Sequence, residues 1–284
     1  MKWHIITDSS SDLQAFNLEE NNIRYATVPF AFNIGSKTII DEPDLDTKAL
    51  LDEIYVTKEK VGTACPSPYD WCAEMEEDGN YLLITISGAL SGSYNSALLA
   101  KDMMLSKYPD RKIEVFNSCS AGAEIVLLVE EMCRLIAEDR TFEDIVTLSK
   151  KYLSESKITF ALSSFDNLVK AGRVSMLVGK LAKILGLWGI GVATDEGTIK
   201  MAKKVRGEKQ AIKAIIDTIR SRIAKPLSIV ISHCHNLNFA EKLKAGIKDV
   251  WDFAKVKIMT TRGLCSYYAE KNGVIVGFWG EQHA

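Results

Sequence analysis

The sequence predicts an α/β protein of two domains, a parallel, doubly wound domain over residues 1–155 and an α+β domain with a largely antiparallel sheet over residues 156–284, with a ligand cleft between them. Three observations support this fold class. A chain of 284 residues is long for a single core. Its first half alternates apolar strands with helices, which is typical of a parallel sheet. Its second half mixes helices with a hairpin, which is typical of an α+β domain.

In the first half, one unit repeats three times: a short apolar strand followed by a loop rich in hydroxyl side chains. Helices are predicted after the second and third loops, because apolar residues recur there at three- and four-residue spacing. Two prolines fix a further, irregular loop ahead of the second strand. In chain order the predicted elements are strand 3–7, loop 8–12, helix 47–58, loop 62–68, a helix from 69, strand 81–86, loop 87–93, helix 94–108, strand 112–116, loop 117–122 and helix 123–138.

In the second half, the run Asp195-Glu196-Gly197 indicates the turn of a hairpin. A helix over 175–187 has more apolar residues than one core face needs, so it either lines a ligand cavity or belongs to an interdomain core. In chain order the predicted elements are strand 158–162, helix 165–171, helix 175–187, strands 190–194 and 198–204, helix 208–223, strand 227–232, helix 238–248, strand 255–260 and a last pair near 264–279.

The hydroxyl-rich loops indicate a binding site. Because the carboxyl ends of parallel strands meet at one edge of a sheet, the three loops converge there. Helix capping explains one hydroxyl per loop, but it does not account for Ser87, Ser91 and Ser93 together around two glycines. Glycine lets backbone N–H groups approach a ligand, and a helix N-terminus favours an anion. Loop 87–93 therefore predicts an anion site that Thr63 joins, with capping alone as the alternative.

Composition narrows the class of protein. An apolar fraction of 47% and a charged fraction of 25% are those of a folded domain, and a net charge of −2 argues against nucleic acid as a partner. We expect no signal peptide and no stable membrane insertion, and hence a cytoplasmic protein. The six cysteines are dispersed and are expected to be free thiols. No metal or cofactor is predicted, since His233 and His235 have no further ligands nearby in the sequence.

The sequence contains no evident catalytic motif, so we predict a binding protein and not an enzyme. It has no Walker loop, and Gly88-Ala-Leu-Ser91-Gly92 places its serine one position too late for a hydrolase elbow. Two alternatives stay open. One is a small-molecule kinase or acyl hydrolase-like enzyme on the same scaffold, and the other is an interaction module that docks through basic residues within 200–206.

Four motifs, in this order, resemble those of the DegV family of bacterial fatty-acid-binding proteins, and the likeness spans nearly the whole chain. They are TDSSSDL (7–13), TACPSP (63–68), ISGALSGSYNSA (86–97), and FDNLVKAGRVS (165–175) with the later KKVRGEKQAI (203–212). The resemblance implies a two-domain carrier that holds one long-chain fatty acid, such as palmitate, stearate or oleate, between its domains. It also implies that a separate fatty-acid kinase phosphorylates the presented carboxyl group for phospholipid synthesis. We expect a monomer.

The resemblance also implies roles for individual residues. Asp8 and Ser9 correspond to the opening motif and are expected to be scaffold. The family's head-group threonine corresponds to Thr63, and its strand-end serine to Ser87. The full set of residues that the resemblance assigns to ligand binding is Thr63, Ser87, the Gly88 amide, Ser91 and Ser93.

One segment departs from the family pattern. Many members carry a histidine near the C-terminus that supports the head group, whereas TTRGLCSYY (260–268) has none, so Thr261 or Arg262 is expected to replace it. Arg173 corresponds to an arginine linked to the site or to the kinase surface. The residues predicted to bind the kinase are Arg173, Lys203, Lys204 and Arg206.

Overall fold

The computed structural model describes residues 2–14, 16–18, 22–175 and 186–283. The elements of the first half are β1 (Trp3–Asp8), β2 (Phe16–Leu18), β3 (Ile23–Val28), β4 (Ala31–Ile34), β5 (Lys37–Ile40), α1 (Thr47–Val56), β6 (Val61–Ala64), α2 (Pro68–Ala73), β7 (Asn80–Thr85), α3 (Ser93–Lys107), β8 (Ile113–Asn117), α4 (Ala123–Ala137) and α5 (Phe142–Glu155). Those of the second half are β9 (Lys157–Leu162), α6 (Asp166–Lys170), β10 (Leu187–Ala193), β11 (Ile199–Arg206), α7 (Glu208–Arg222), β12 (Lys225–His233), α8 (Leu237–Val250), β13 (Lys255–Thr260), α9 (Gly263–Ala269) and β14 (Val274–Glu281).

The first sheet has the strand order β2-β3-β1-β7-β8 and is parallel except at β2, which pairs antiparallel with β3. Every residue of β7 is buried, as expected for a strand covered on both faces. The direction of winding reverses between β1 and β7, so the loops after these strands flank the crevice in which doubly wound folds bind ligands. The predicted parallel, doubly wound first domain is confirmed.

The second sheet has the order β11-β10-β9-β14-β12-β13, and its neighbouring strands are antiparallel apart from β12 and β13. Strands β10 and β11 form the predicted hairpin, and the turn contains Gly197 at a φ of 78°. The predicted second domain with a largely antiparallel sheet is confirmed. Most of the apolar helix expected over 175–187 falls on residues 176–185, which lie outside the described residues. Leu187, at its end, belongs to β10 instead.

The sequence analysis does not predict a third, antiparallel sheet with the order β5-β4-β6. Thr63 lies in this sheet, paired with Phe32 of β4, so the irregular loop expected from residue 62 is wrong for residues 62–64. The four residues of β6 include a glycine and show no alternation of buried and exposed side chains, and their pattern therefore gives no strand signal. The prolines act further along, where Ser67 caps α2 and Pro68 begins it.

Helix α4 joins the two halves of the chain. Its residues from Ala123 to Val129 are all buried, and the apolar cluster around it combines side chains of the first sheet, such as Ile84, with side chains of the second, such as Phe160. Strand β14 approaches closely because Gly277 has no side chain, since a Cβ there would lie 2.5 Å from the Glu124 nitrogen. Within the ranges described, no helix is long and apolar enough to cross a membrane.

Candidate functional site

The loop after β1 is a buried hydrogen-bonding scaffold. The Asp8 carboxylate accepts hydrogen bonds from the Ser93 hydroxyl at 2.6 Å and from the Ile86 amide at 2.9 Å, which ties it to the loop after β7. Burial raises the pKa of the Asp8 carboxyl. The Ser9 hydroxyl donates to Asp41 at 2.8 Å. Asp8 and Ser9 therefore act as scaffold, in line with the expectation, and they fix the position of the loop after β7.

An apolar cavity of about 200 Å³ lies between the two halves of the chain. The first half contributes residues of β6 and of the loops after β7 and β8, and the second half contributes residues of β9, the β10–β11 hairpin, α9 and β14. The apolar side chains on its wall include Phe30, Ile86, Phe160, Leu162, Ile199 and Ile275. Such a wall favours an alkyl chain, because burying apolar surface is the main source of binding free energy there.

Hydroxyl groups interrupt the apolar wall where β6 meets the loop after β7. Thr63 and Tyr268 both line the cavity, and their hydroxyl oxygens lie 2.9 Å apart. Ser91 also lines it, and its hydroxyl oxygen accepts a hydrogen bond from the Ser93 amide at 3.3 Å. The N-cap of α3 is Gly92, which has no side chain to accept from the amides of the first turn. The positive end of the α3 dipole therefore lies beside these hydroxyls, which suits an anionic head group.

Three of the predicted ligand residues have their polar atoms bonded within the protein, and within the described part of the chain they do not line the cavity. The Ser87 hydroxyl is buried and donates to the Gly197 carbonyl at 2.7 Å. The Gly88 amide donates to the Asn117 side chain at 2.9 Å. The Ser93 hydroxyl donates to Asp8. Of the five residues assigned to the ligand by resemblance, the structure brings Thr63 and Ser91 to the cavity.

Thr261 and Arg262, one of which is expected to replace the histidine, also lie away from the described wall of the cavity. The Thr261 hydroxyl lies 2.7 Å from that of Ser266. The Arg262 guanidinium is buried and donates to the carbonyls of Leu13 at 3.2 Å and Asp41 at 2.9 Å. These bonds connect α9 to the first half of the chain, whereas the buried Arg262 Nε has no hydrogen-bond partner among the described residues.

The residues predicted to bind a kinase are exposed, and they lie in two places. Arg173 follows α6 and lines the cavity at its rim. Lys203, Lys204 and Arg206 lie on β11, which is an edge strand of the second sheet. Lysine on an edge strand also prevents unwanted strand pairing, so the position alone is consistent with either role.

The chemistry of the wall suits binding. All six cysteines are free, and Cys65, Cys119 and Cys265 line the cavity. Burial raises the pKa of the Cys119 and Cys265 thiols, which keeps both protonated at neutral pH. Among the described wall residues Arg173 is the one charged side chain, and none is a histidine. The wall therefore offers hydrogen-bond donors to a head group and an apolar surface to a chain.

Sequence reasoning missed Tyr268, the partner of Thr63 across the cavity wall. It lies in the segment where a replacement for the histidine is expected, but nearly all residues of α9 are buried, so neither periodicity nor composition singles it out. The hydrogen bond to Thr63 joins residues 205 positions apart. A contact of that kind has no signal in a single sequence.

Comparisons with known proteins agree on the family. A family model described as "Uncharacterised protein, DegV family" matches residues 2–278. A DegV domain-containing protein of Streptococcus pneumoniae is 36% identical over 278 residues, which are 98% of this chain and 99% of the relative.

Two solved structures are similar over their whole length. The Streptococcus pneumoniae Fatty Acid Kinase (Fak) B3 protein loaded with linoleic acid has a TM-score of 0.94 and 36% identity, over 98% of this chain and 99% of that one. A DegV family protein from Eubacterium eligens loaded with heptadecanoic acid has a TM-score of 0.93 and 28% identity, over 98% of this chain and all of that one. This chain belongs to the DegV family.

Proposed function

We propose that this protein binds one long-chain fatty acid in the cavity between its two halves and presents the carboxylate to a separate fatty-acid kinase. The observation that carries the proposal is an apolar cavity interrupted by neutral hydroxyl donors, Thr63, Tyr268 and Ser91, beside the N-terminus of α3. The two similar structures loaded with linoleic and heptadecanoic acid support the same class of ligand.

The alkyl tail and the head group of a fatty acid contribute differently to the free energy of binding. Burial of an alkyl chain contributes about 0.8 kcal/mol per CH₂, so about sixteen carbons contribute roughly 12 kcal/mol before the cost of association is subtracted. The head group adds little net affinity, but a carboxylate buried without donors costs several kcal/mol. Thr63 and Ser91 are therefore proposed to satisfy the carboxylate, while the apolar wall supplies the affinity.

Presentation to a kinase is the finer part of the proposal. The Fak B3 relative supports it by its name and its 36% identity. Arg173 at the cavity rim and Lys203, Lys204 and Arg206 on the edge strand β11 are proposed to form the docking surface. Exposed charges of one sign steer association with an acidic partner and leave the buried ligand unaffected.

The test is the lipid content of the purified protein. Organic extraction and mass analysis are expected to give about one long-chain fatty acid per chain. Ala193 lines the cavity, and Ala193→Phe is expected to lower that content because the ring fills the space of the ligand. Ala202 on β11 is exposed, so Ala202→Phe is the matched control and should keep its lipid. A parent protein that stays empty after gentle purification, and after incubation with oleate, would contradict the proposal.

A further inference from the structure

Tyr268 places a phenol hydroxyl 2.9 Å from the Thr63 hydroxyl on the wall of the cavity. We propose that Tyr268 is a positioning residue of the head-group site, and that it orients the Thr63 hydroxyl toward the fatty-acid carboxylate. This inference rests on the proposed function and identifies the residue that takes the part expected of Thr261 or Arg262.

The number of protons on the Thr63 and Tyr268 hydroxyls determines what the pair can donate to a ligand. Each hydroxyl carries one proton, and the bond between Thr63 and Tyr268 uses one of the two. The oxygen that accepts this hydrogen bond keeps its own proton. That hydroxyl can therefore donate a hydrogen bond to a carboxylate at the wall. Hydrogen bonds in such a chain polarise one another, so the remaining donor is stronger than an isolated hydroxyl. Without Tyr268, the Thr63 hydroxyl loses the partner that fixes its rotation.

Aromatic packing holds the pair in place before any ligand arrives. The rings of Tyr268 and Tyr267 meet edge to face with centroids 4.8 Å apart, and the Tyr267 ring lies 5.8 Å from that of Phe32. Phe32 is the partner of Thr63 in the pairing of β4 with β6. Thr63, Tyr268, Tyr267 and Phe32 therefore form a closed ring of contacts, which fixes the positions of the two hydroxyls relative to each other.

The helix that carries Tyr268 is itself fixed to the first half of the chain. The Asp41 carboxylate accepts hydrogen bonds from the Gly263 amide at 3.0 Å and the Leu264 amide at 2.9 Å, at the start of α9. The Arg262 guanidinium adds its bond to the Asp41 carbonyl. Arg262 therefore serves the head group indirectly, because it anchors the element that presents Tyr268.

The proposal predicts a selective effect of removing the phenol hydroxyl. A hydrogen bond to a charged acceptor contributes more than one to a neutral acceptor. Tyr268→Phe is therefore expected to weaken binding of a fatty acid about tenfold or more, and binding of the corresponding methyl ester by less than about threefold. A residue that merely shapes the cavity would affect both ligands alike.

The experiment titrates the delipidated full-length chain with cis-parinaric acid and with methyl cis-parinarate, followed by fluorescence. The variants are Tyr268→Phe, Thr63→Val and the double variant. Tyr152→Phe is the control, since it removes the hydroxyl of a buried tyrosine that does not line the described cavity wall. We expect each single variant to lose affinity for the acid and to keep its affinity for the ester. The affinity of the double variant for the acid should be no lower than that of the single variant that binds it less tightly, because the two hydroxyls act as a unit.

Two results would overturn the inference while leaving the proposed function in place. The first is that Tyr268→Phe binds the acid with the affinity of the parent. The second is that Tyr268→Phe loses affinity for the acid and for the ester to the same extent. A parent protein that binds neither probe would instead overturn the proposed function, and this inference with it.

Discussion

At the scale of single residues, hydroxyl groups from one loop have different tasks. The sequence analysis assigns Ser87, Ser91 and Ser93 together to a ligand, but the structure brings Ser91 alone of these three to the described wall. Ser87 bonds to a residue 110 positions away, and Ser93 to one 85 positions away. The spacing of serines and glycines therefore predicts a loop that borders the cavity. It does not predict which side chain turns inward, because that choice depends on partners far along the chain.

The placement of Ser87 changes the expected result of Ser87→Ala. The sequence alone predicts weaker fatty-acid binding with little effect on folding. In the structure, the substitution leaves the buried Gly197 carbonyl without its donor, so we expect a loss of about 1–3 kcal/mol in the free energy of unfolding. Urea denaturation of the delipidated protein measures it, with Ser106→Ala on the exposed face of α3 as the control. Unchanged stability together with a large loss of affinity would restore the ligand role of Ser87.

At the scale of elements, local signals predict the hairpin and miss the small sheet. Asp195-Glu196-Gly197 indicates a tight turn, and the structure has β10 and β11 on either side of it. Strand β6 has four residues and no alternation, so only its pairing with β4 defines it. Thr63 is predicted as a site residue by the resemblance of its motif and not by local structure, and the structure places it on the cavity wall although its strand is missed.

The hairpin turn docks onto the first half of the chain through Gly197, and this suggests a test by Gly197→Ala. A Cβ at this glycine would collide with the Ser87 hydroxyl and lie 2.8 Å from the Cys119 Cα, so the turn is expected to lift from the cavity. Gly207→Ala is the control, since Gly207 also has a positive φ, of 85°, but open space around it. Both variants therefore carry the backbone strain of alanine at a positive φ, and only Gly197→Ala disturbs the contact of the turn with the first half of the chain.

The expected result is faster release of ligand. Loss of the Ser87 bond corresponds to roughly 1 kcal/mol, or about a fivefold increase in the dissociation rate of Gly197→Ala relative to Gly207→Ala. Stopped-flow displacement of a fluorescent fatty acid measures both rates. Equal rates for the two variants would show that the turn does not hold the ligand in place.

At the scale of the whole molecule, the order of strands and helices predicts the fold well, and the junction between the halves poorly. Alternating apolar strands and helices indicate the parallel sheet, and the second sheet begins at β9, next to the domain boundary predicted after residue 155. That boundary stays a prediction, since α4 packs against strands of both halves. Arg262 shows why the junction is hard to foresee. Its charge suggests a ligand, whereas its burial and its three acceptors are properties of the assembled chain.

The surface of the whole molecule determines the last prediction, which concerns kinase docking. Charge reversal at Lys204 and Arg206 is expected to leave the lipid content unchanged, because both are exposed on the edge strand β11 and neither lines the described cavity. The rate of acyl phosphate formation by a cognate fatty-acid kinase should fall about tenfold or more at low salt, since exposed charges govern the encounter of two proteins.

The control for this prediction reverses Lys255 and Lys244, which changes the net charge equally. Lys255 lies on β13, at the opposite edge of the same sheet, and Lys244 on the neighbouring helix α8. If β11 is the docking strand, the control pair should leave phosphorylation within about twofold of the parent, and added salt should reduce the difference between the two pairs. Equal losses from both pairs would mean that net charge, and not a docking surface, governs the encounter. Loss of lipid from the β11 pair would instead place Lys204 and Arg206 in the binding machinery.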